Sequence, residues 1–125
     1  MTNRTTAKHF KIFKEEAKLW LDRMGLNDWR VMISHSKDLP DCLATITVDV
    51  EGRVASINLN TDWSNERISV YQLRKTAFHE VSELLLARLG YLGECRYLQD
   101  EEIPEEKHVI IRKLENYFYG NTGPK

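Results

Sequence analysis

The segment KTAFHEVSELLLARLG, residues 75–90, brings together three residues whose types could do joint chemistry: His79, Glu80 and Glu83. On a helix a step of four residues returns to the same face one turn on, so the His79 imidazole and the Glu83 carboxylate project together. Such a pair can grip one divalent ion, while the residue after the histidine faces the side from which water approaches. Glu80 is that residue, placed to take a proton from water and pass it to a leaving group. The plainer reading of a His–Glu pair at this spacing is a surface ion pair worth roughly a few tenths of a kcal/mol. The apolar neighbours argue for more. At about 100° per residue, Thr76, His79, Glu83, Leu86 and Ala87 share one sector of the helix. Phe78, Val81, Leu85 and Leu89 make a second sector, and Leu73, Ala77 and Leu84 a third. The pattern predicts a helix buried around most of its circumference, between a sheet and a following helix. Buried charges need partners, and a metal ion is one.

The elements that must position these residues can be read from periodicity. Phe10, Phe13, Ala17, Trp20 and Met24 recur at steps of three and four with Lys11, Lys14, Glu15, Lys18 and Asp22 between them, which predicts an amphipathic helix over 6–24 closed by Gly25. Three strands follow. Residues 29–35 and 44–50 alternate apolar and polar, and 54–60 sets Ala55, Ile57 and Leu59 on one face. Glu51-Gly52-Arg53 reads as a hairpin loop with Gly52 at a positive φ. An antiparallel meander is expected, with 36–42 as a loop around Pro40. The chemistry-bearing helix starts at Ser69, where Ser69 and Gln72 stand at capping-box spacing, and ends at Gly90. A polar, acidic connection over 93–102 leads to a third helix that begins at Pro104, a good first-turn residue, and runs to about Tyr119. Residues 120–125 read as a flexible tail.

His79-Glu80-Val81-Ser82-Glu83 resembles the HExxH helix of zincin metallopeptidases, in which two histidines bind zinc and the glutamate between them is the general base. The element order is similar to a minimal zincin core, in particular to compact, often phage-encoded metallopeptidases and the SprT-like group. The similarity runs from the first strand to Asn116, but only the metal helix carries a motif. The chain departs from that motif at Glu83, which stands where the second histidine belongs. A carboxylate there makes a harder, more anionic site. The resemblance implies one divalent metal, zinc first and manganese or iron next, held by His79, Glu83 and a third ligand from a later helix, with Glu80 as catalytic base. In PEEKHVIIRKLEN that helix offers Glu105, Glu106 and His108. Ile110, Leu114, Tyr117 and Phe118 mark its buried face, which favours Glu106 and holds His108 in reserve. The implied fold is α+β and zincin-like: a helix, a three-stranded antiparallel sheet, the metal-site helix and a C-terminal helix. The implied reaction is attack of metal-activated water on a peptide bond. The alternative is a catalytically degenerate zincin fold serving as a binding or regulatory module, such as a phage accessory protein.

Composition limits the remaining choices. The chain has 125 residues, 42% hydrophobic and 30% charged, the size and balance of one globular domain. Lys plus Arg total 18 against 19 Asp plus Glu, so a partner bound chiefly by charge, such as nucleic acid, is not expected. The lysines 8, 11, 14 and 18 read as a solvated helix face, and the acidic run at Glu101, Glu102, Glu105 and Glu106 as favourable charge at a helix start. Glu105-x-x-His108 also matches half of a di-iron motif, which needs two copies on four helices. His9 and His35 carry no expected role, and Trp63 is expected in the core. The opening lacks a secretory h-region, and no apolar run approaches the roughly 18 residues of a membrane span. Cys42 and Cys95 form no CxxC pair and fit a reduced, cytoplasmic setting, a phage-infected host cell included. Peptides or proteins are the expected substrates.

Overall fold

The first helix begins where a side chain can hold it. Thr6 Oγ1 accepts the His9 N–H at 3.3 Å and His9 Nδ1 accepts the Thr6 N–H at 3.0 Å, a reciprocal cap for α1 (Ala7–Arg23). The helix ends in a Schellman turn. Gly25 takes φ +68°, its N–H donates to the Asp22 carbonyl, and the Leu26 N–H donates to the Leu21 carbonyl. In the computed structural model, which describes residues 2–95 and 101–120, there follow β1 (Arg30–Ser36), β2 (Ala44–Asp49), β3 (Val54–Asn60), α2 (Val70–Glu94) and α3 (Glu102–Glu115). A π-helical turn, Asn116–Gly120, closes the described chain. The expected tail beyond 120 and the middle of the acidic connection, 96–100, lie outside the described residues.

The architecture is α+β, three helices on a three-stranded sheet, and the sheet is mixed where an antiparallel meander was expected. The strand order is β1-β3-β2, with β1 parallel to β3 and β2 antiparallel to it. Burial explains the order. Ala55, Ile57 and Leu59 of β3 are almost wholly buried, so β3 takes the centre, where neighbours cover both of its edges. The hairpin after β2 also differs from expectation. Arg53, at φ +54°, carries the left-handed conformation, while Gly52 donates its N–H to Asp49 Oδ1 at 3.1 Å. A Cβ on Gly52 would meet Asp49 Oδ2 at 2.7 Å, so that glycine answers a close approach.

One face of the sheet meets the helices. Phe13 and Ala17 of α1, Ile57 and Leu59 of β3, and Leu73, Ala77, Val81 and Leu84 of α2 are buried together with Trp63, and Ile110 of α3 joins them. Trp63 is a core residue, as expected, and its Nε1 donates to the Leu43 carbonyl at 3.1 Å. Ser69 caps α2 by accepting the Gln72 N–H at 3.1 Å. The helix does not stop at Gly90. It runs on to Glu94, and Leu92 in that further turn is buried. Pro104 is the third residue of α3, still inside the first turn, where its missing N–H costs nothing. Among the described residues no helix is long and apolar enough to cross a membrane, and Cys42 and Cys95 are free thiols.

Candidate metal site

The rotation of α2 decides what faces the core. Leu73, Thr76, Ala77, Glu80, Val81, Leu84 and Leu85 are buried, whereas Phe78, His79, Glu83 and Leu86 are exposed. The expectation of a helix covered on most sides is therefore corrected. The third apolar sector, with Val81 and Leu85, meets the core, and the His79/Glu83 stripe lies on the rim. The cause is the two-layer build: the other elements pack against one side of α2 and leave the outer side to solvent.

His79, Glu80 and Glu83 nonetheless converge. One ligand atom from each lies within 4.8 Å of the others. His79 Nε2 and Glu83 Oε2 are 3.8 Å apart on side chains that are 71% and 53% exposed. Glu80 is different, at 5% exposed, and its Oε2 has no hydrogen-bond partner. Burial first, then the like charge of Glu83, then a hydrogen bond that the protonated Glu80 carboxyl shares with Glu83, push its pKa up to about 7. A buried polar atom without a partner is costly. A divalent ion, or a water beside one, would relieve that cost. The donor set of one imidazole and two carboxylates fits zinc and also manganese or iron. His79, Glu80 and Glu83 thus form a group able to hold a divalent ion.

The expected third ligand is not brought to this group. Glu106 Oε1 meets Arg88 Nε at 3.1 Å, with the Glu106 side chain 10% exposed. Arg88 follows His79 by nine residues, a rise of roughly 13 Å along a helix axis. Glu106 instead borders a second cavity of about 370 Å³ with Leu26, Trp29 and Lys113. The reserve residue His108 is exposed, and its Nδ1 lies 3.0 Å from the Pro104 carbonyl. Glu105 is exposed on the same helix. The structure substitutes Glu80 for all three as the neighbour of His79 and Glu83.

Beside the group lies a cleft of about 340 Å³ between α2 and the chain entering β2. Asp41, Cys42, Leu43 and Ala44 form one wall, and Gln72, Lys75, Thr76, His79 and Glu80 the other. Gln72 was expected only as a capping partner and Thr76 only in the His79 sector, and Lys75 had no expected role, although their spacing carries a signal. They stand four residues before Thr76, His79 and Glu80, in two rows along the same helix. Asn60, the polar residue that ends the alternation of β3, also had no expected role. Asn60 is fully buried and its amide makes four hydrogen bonds. Its Nδ2 donates to the carbonyls of Leu39 and Cys42, and its Oδ1 accepts the N–H groups of Asp38 and Asp62. That one side chain fixes the loop from which the cleft wall rises. His35, also without an expected role, stacks on Phe10 and pairs with Thr5 Oγ1 at 2.7 Å, away from the cleft. Compared with protein-family models, with curated proteins and with solved structures, the chain matches none.

Proposed function

We propose that the chain is a zincin-like, metal-dependent peptidase whose site is centred on His79, Glu80 and Glu83. The observation that carries this reading is Glu80: a buried carboxylate with an unpartnered oxygen, beside an imidazole and a second carboxylate on the same turn. His79 and Glu83 would hold the ion, with Glu80 facing it from the buried side. A bound divalent ion supplies Lewis acidity toward a carbonyl and toward water. Glu80 Oε2 receives the proton that water gives up on attacking the carbonyl carbon, and then delivers it to the departing amine. A pKa near neutrality suits both directions of that transfer. The core packing around Val81 and Leu84 fixes the helix turn, so the carboxylate is oriented before substrate arrives. Among the described residues no strand covers the outer edge of β2, which would offer main-chain hydrogen bonds to an extended peptide lying along the cleft.

A second reading, a zincin-derived scaffold that binds without cutting, draws support from Glu106. Its engagement with Arg88 leaves all three donors on one helix. Metal analysis of protein purified without chelators or a metal-binding tag, followed by exposure to a broad peptide library, separates the two. The peptidase reading expects about one divalent ion per chain, peptide cleavage, and a loss of at least roughly a hundredfold in rate for Glu80→Gln. Retained metal with no cleavage of any peptide selects the scaffold. A chain that neither carries nor takes up metal excludes the peptidase.

A further inference from the structure

We propose that the cleft receives the free C-terminal end of a peptide and that Lys75 takes its α-carboxylate, an inference that rests on the peptidase reading above. The direction of the sheet supplies the first argument. β2 pairs with β3 on one side only, and among the described residues no strand covers its other edge. A peptide added antiparallel to β2 runs from the Asp49 end toward the Ala44 end, so its C-terminus arrives at the wall formed by residues 41–44. Past that point the extended backbone stops: residues 40–41 turn, Asp41 takes φ +66°, and the Cys42 N–H donates to the Leu39 carbonyl at 3.3 Å. An extended chain added to β2 therefore loses its regular main-chain partners there.

Charge at that end supplies the second argument. Of the residues that line the cleft, Lys75 is the permanent cation, and among the described residues it makes no ion pair. It precedes His79 by four residues, about 6 Å along the axis. One extended residue spans about 3.4 Å, so a carboxylate one residue beyond the cleaved carbonyl falls within reach of the long lysine stem. Gln72, in the neighbouring row, offers an amide N–H₂ to the same group. The cavity, at about 340 Å³, is near the lower end of small-ligand sites. Of the two acidic residues in the lining, Glu80 and Asp41, Asp41 is the one on the wall opposite Lys75. It stands exposed at φ +66° and also borders the loop at 63–66. A peptide added parallel to β2 would bring an α-ammonium to it instead, and the experiment separates the two polarities.

The test reads binding by amide chemical-shift titration of the full metal-stripped chain. The probes are N-acetyl-trialanine with a free carboxylate, the same peptide as its C-terminal amide, and trialanine amide with a free amine. The free acid should bind about fivefold tighter than its amide, the strength of one favourable exposed ion pair. Lys75→Met should erase that preference and Lys75→Arg should keep it; Lys75 is exposed, so neither change threatens the fold. Equal binding of acid and amide, a preference for the free amine, a carboxylate preference that survives Lys75→Met, or no binding at millimolar peptide each overturns the inference. Because the readout is binding, a chain that prefers the free acid yet cleaves nothing loses the peptidase reading alone. A chain that cleaves internal bonds without that preference loses this inference alone.

Discussion

Glu80 and Glu106 are both acidic, both on helices and both nearly buried, yet they behave differently because of one neighbour. Glu106 has Arg88 at 3.1 Å, while Glu80 has an unpartnered oxygen and the like charge of Glu83 nearby. Burial therefore lifts the Glu80 pKa from 4.5 to about 7. Between those values the folded chain keeps a proton that the unfolded chain has released. The stability linked to that proton is fully present below about 4.5 and is lost as pH rises through about 7. Metal-free protein should accordingly be less stable at pH 8 than at pH 5 by an amount on the order of 1–3 kcal/mol from this residue. Glu80→Gln should remove that part and exceed the wild type in stability at pH 8. Urea unfolding of both proteins at the two pH values measures the difference, and parallel pH responses would mean that Glu80 is already solvated. Glu106→Gln should leave metal content unchanged and cost on the order of 1 kcal/mol, since the Arg88 partner is half exposed and screened. A clear loss of metal in that variant would return Glu106 to the site.

The same contrast shows what a sequence can carry at the level of elements. His79, Glu80 and Glu83 could be read as a group because their distances are set inside one helix, by 3.6 residues per turn. Glu106 could not be placed, because its neighbour depends on how α3 docks against α2, and periodicity holds no information about docking. The strands follow the same rule. The inward face of β3 was legible as Ala55, Ile57 and Leu59, but its central place between a parallel and an antiparallel neighbour was not. Asn60 sits where those two kinds of information meet. It ends the β3 alternation as a polar residue, and only the fold shows its amide tying down residues 38–42 and 62. Asn60→Ala should leave a cavity in the core and remove four bonds to part-buried backbone groups, and cost about 2–4 kcal/mol. In the variant that still folds, hydrogen exchange at residues 38–43 should accelerate far more than exchange in α1. Uniform acceleration would make Asn60 a general core residue instead of the anchor of the cleft wall.

Across the whole molecule, α2 joins the candidate site to everything else. Its inner face holds Leu73, Ala77, Val81 and Leu84 against α1 and the sheet, its later turns meet α3 at Arg88, and its rim carries His79 and Glu83. A core drawn from α1, β3, α2 and α3 should unfold as one unit, because no element keeps a buried face when α2 leaves. An ion held on the rim of α2 must then stabilise the entire domain. At a free concentration about a hundredfold above its dissociation constant, a ligand specific for the folded state contributes roughly 2.7 kcal/mol. For a domain of this size that corresponds to a rise in Tm of roughly 8–10 °C. Zinc or manganese should produce that rise in a single transition, with tryptophan fluorescence and far-UV circular dichroism moving together. His79→Ala should abolish it, and Glu106→Gln should not. Two separated transitions would break the link through α2. A Tm indifferent to both metals would remove the ion from the site, and with it the reason for three converging donors, one of them a buried carboxylate.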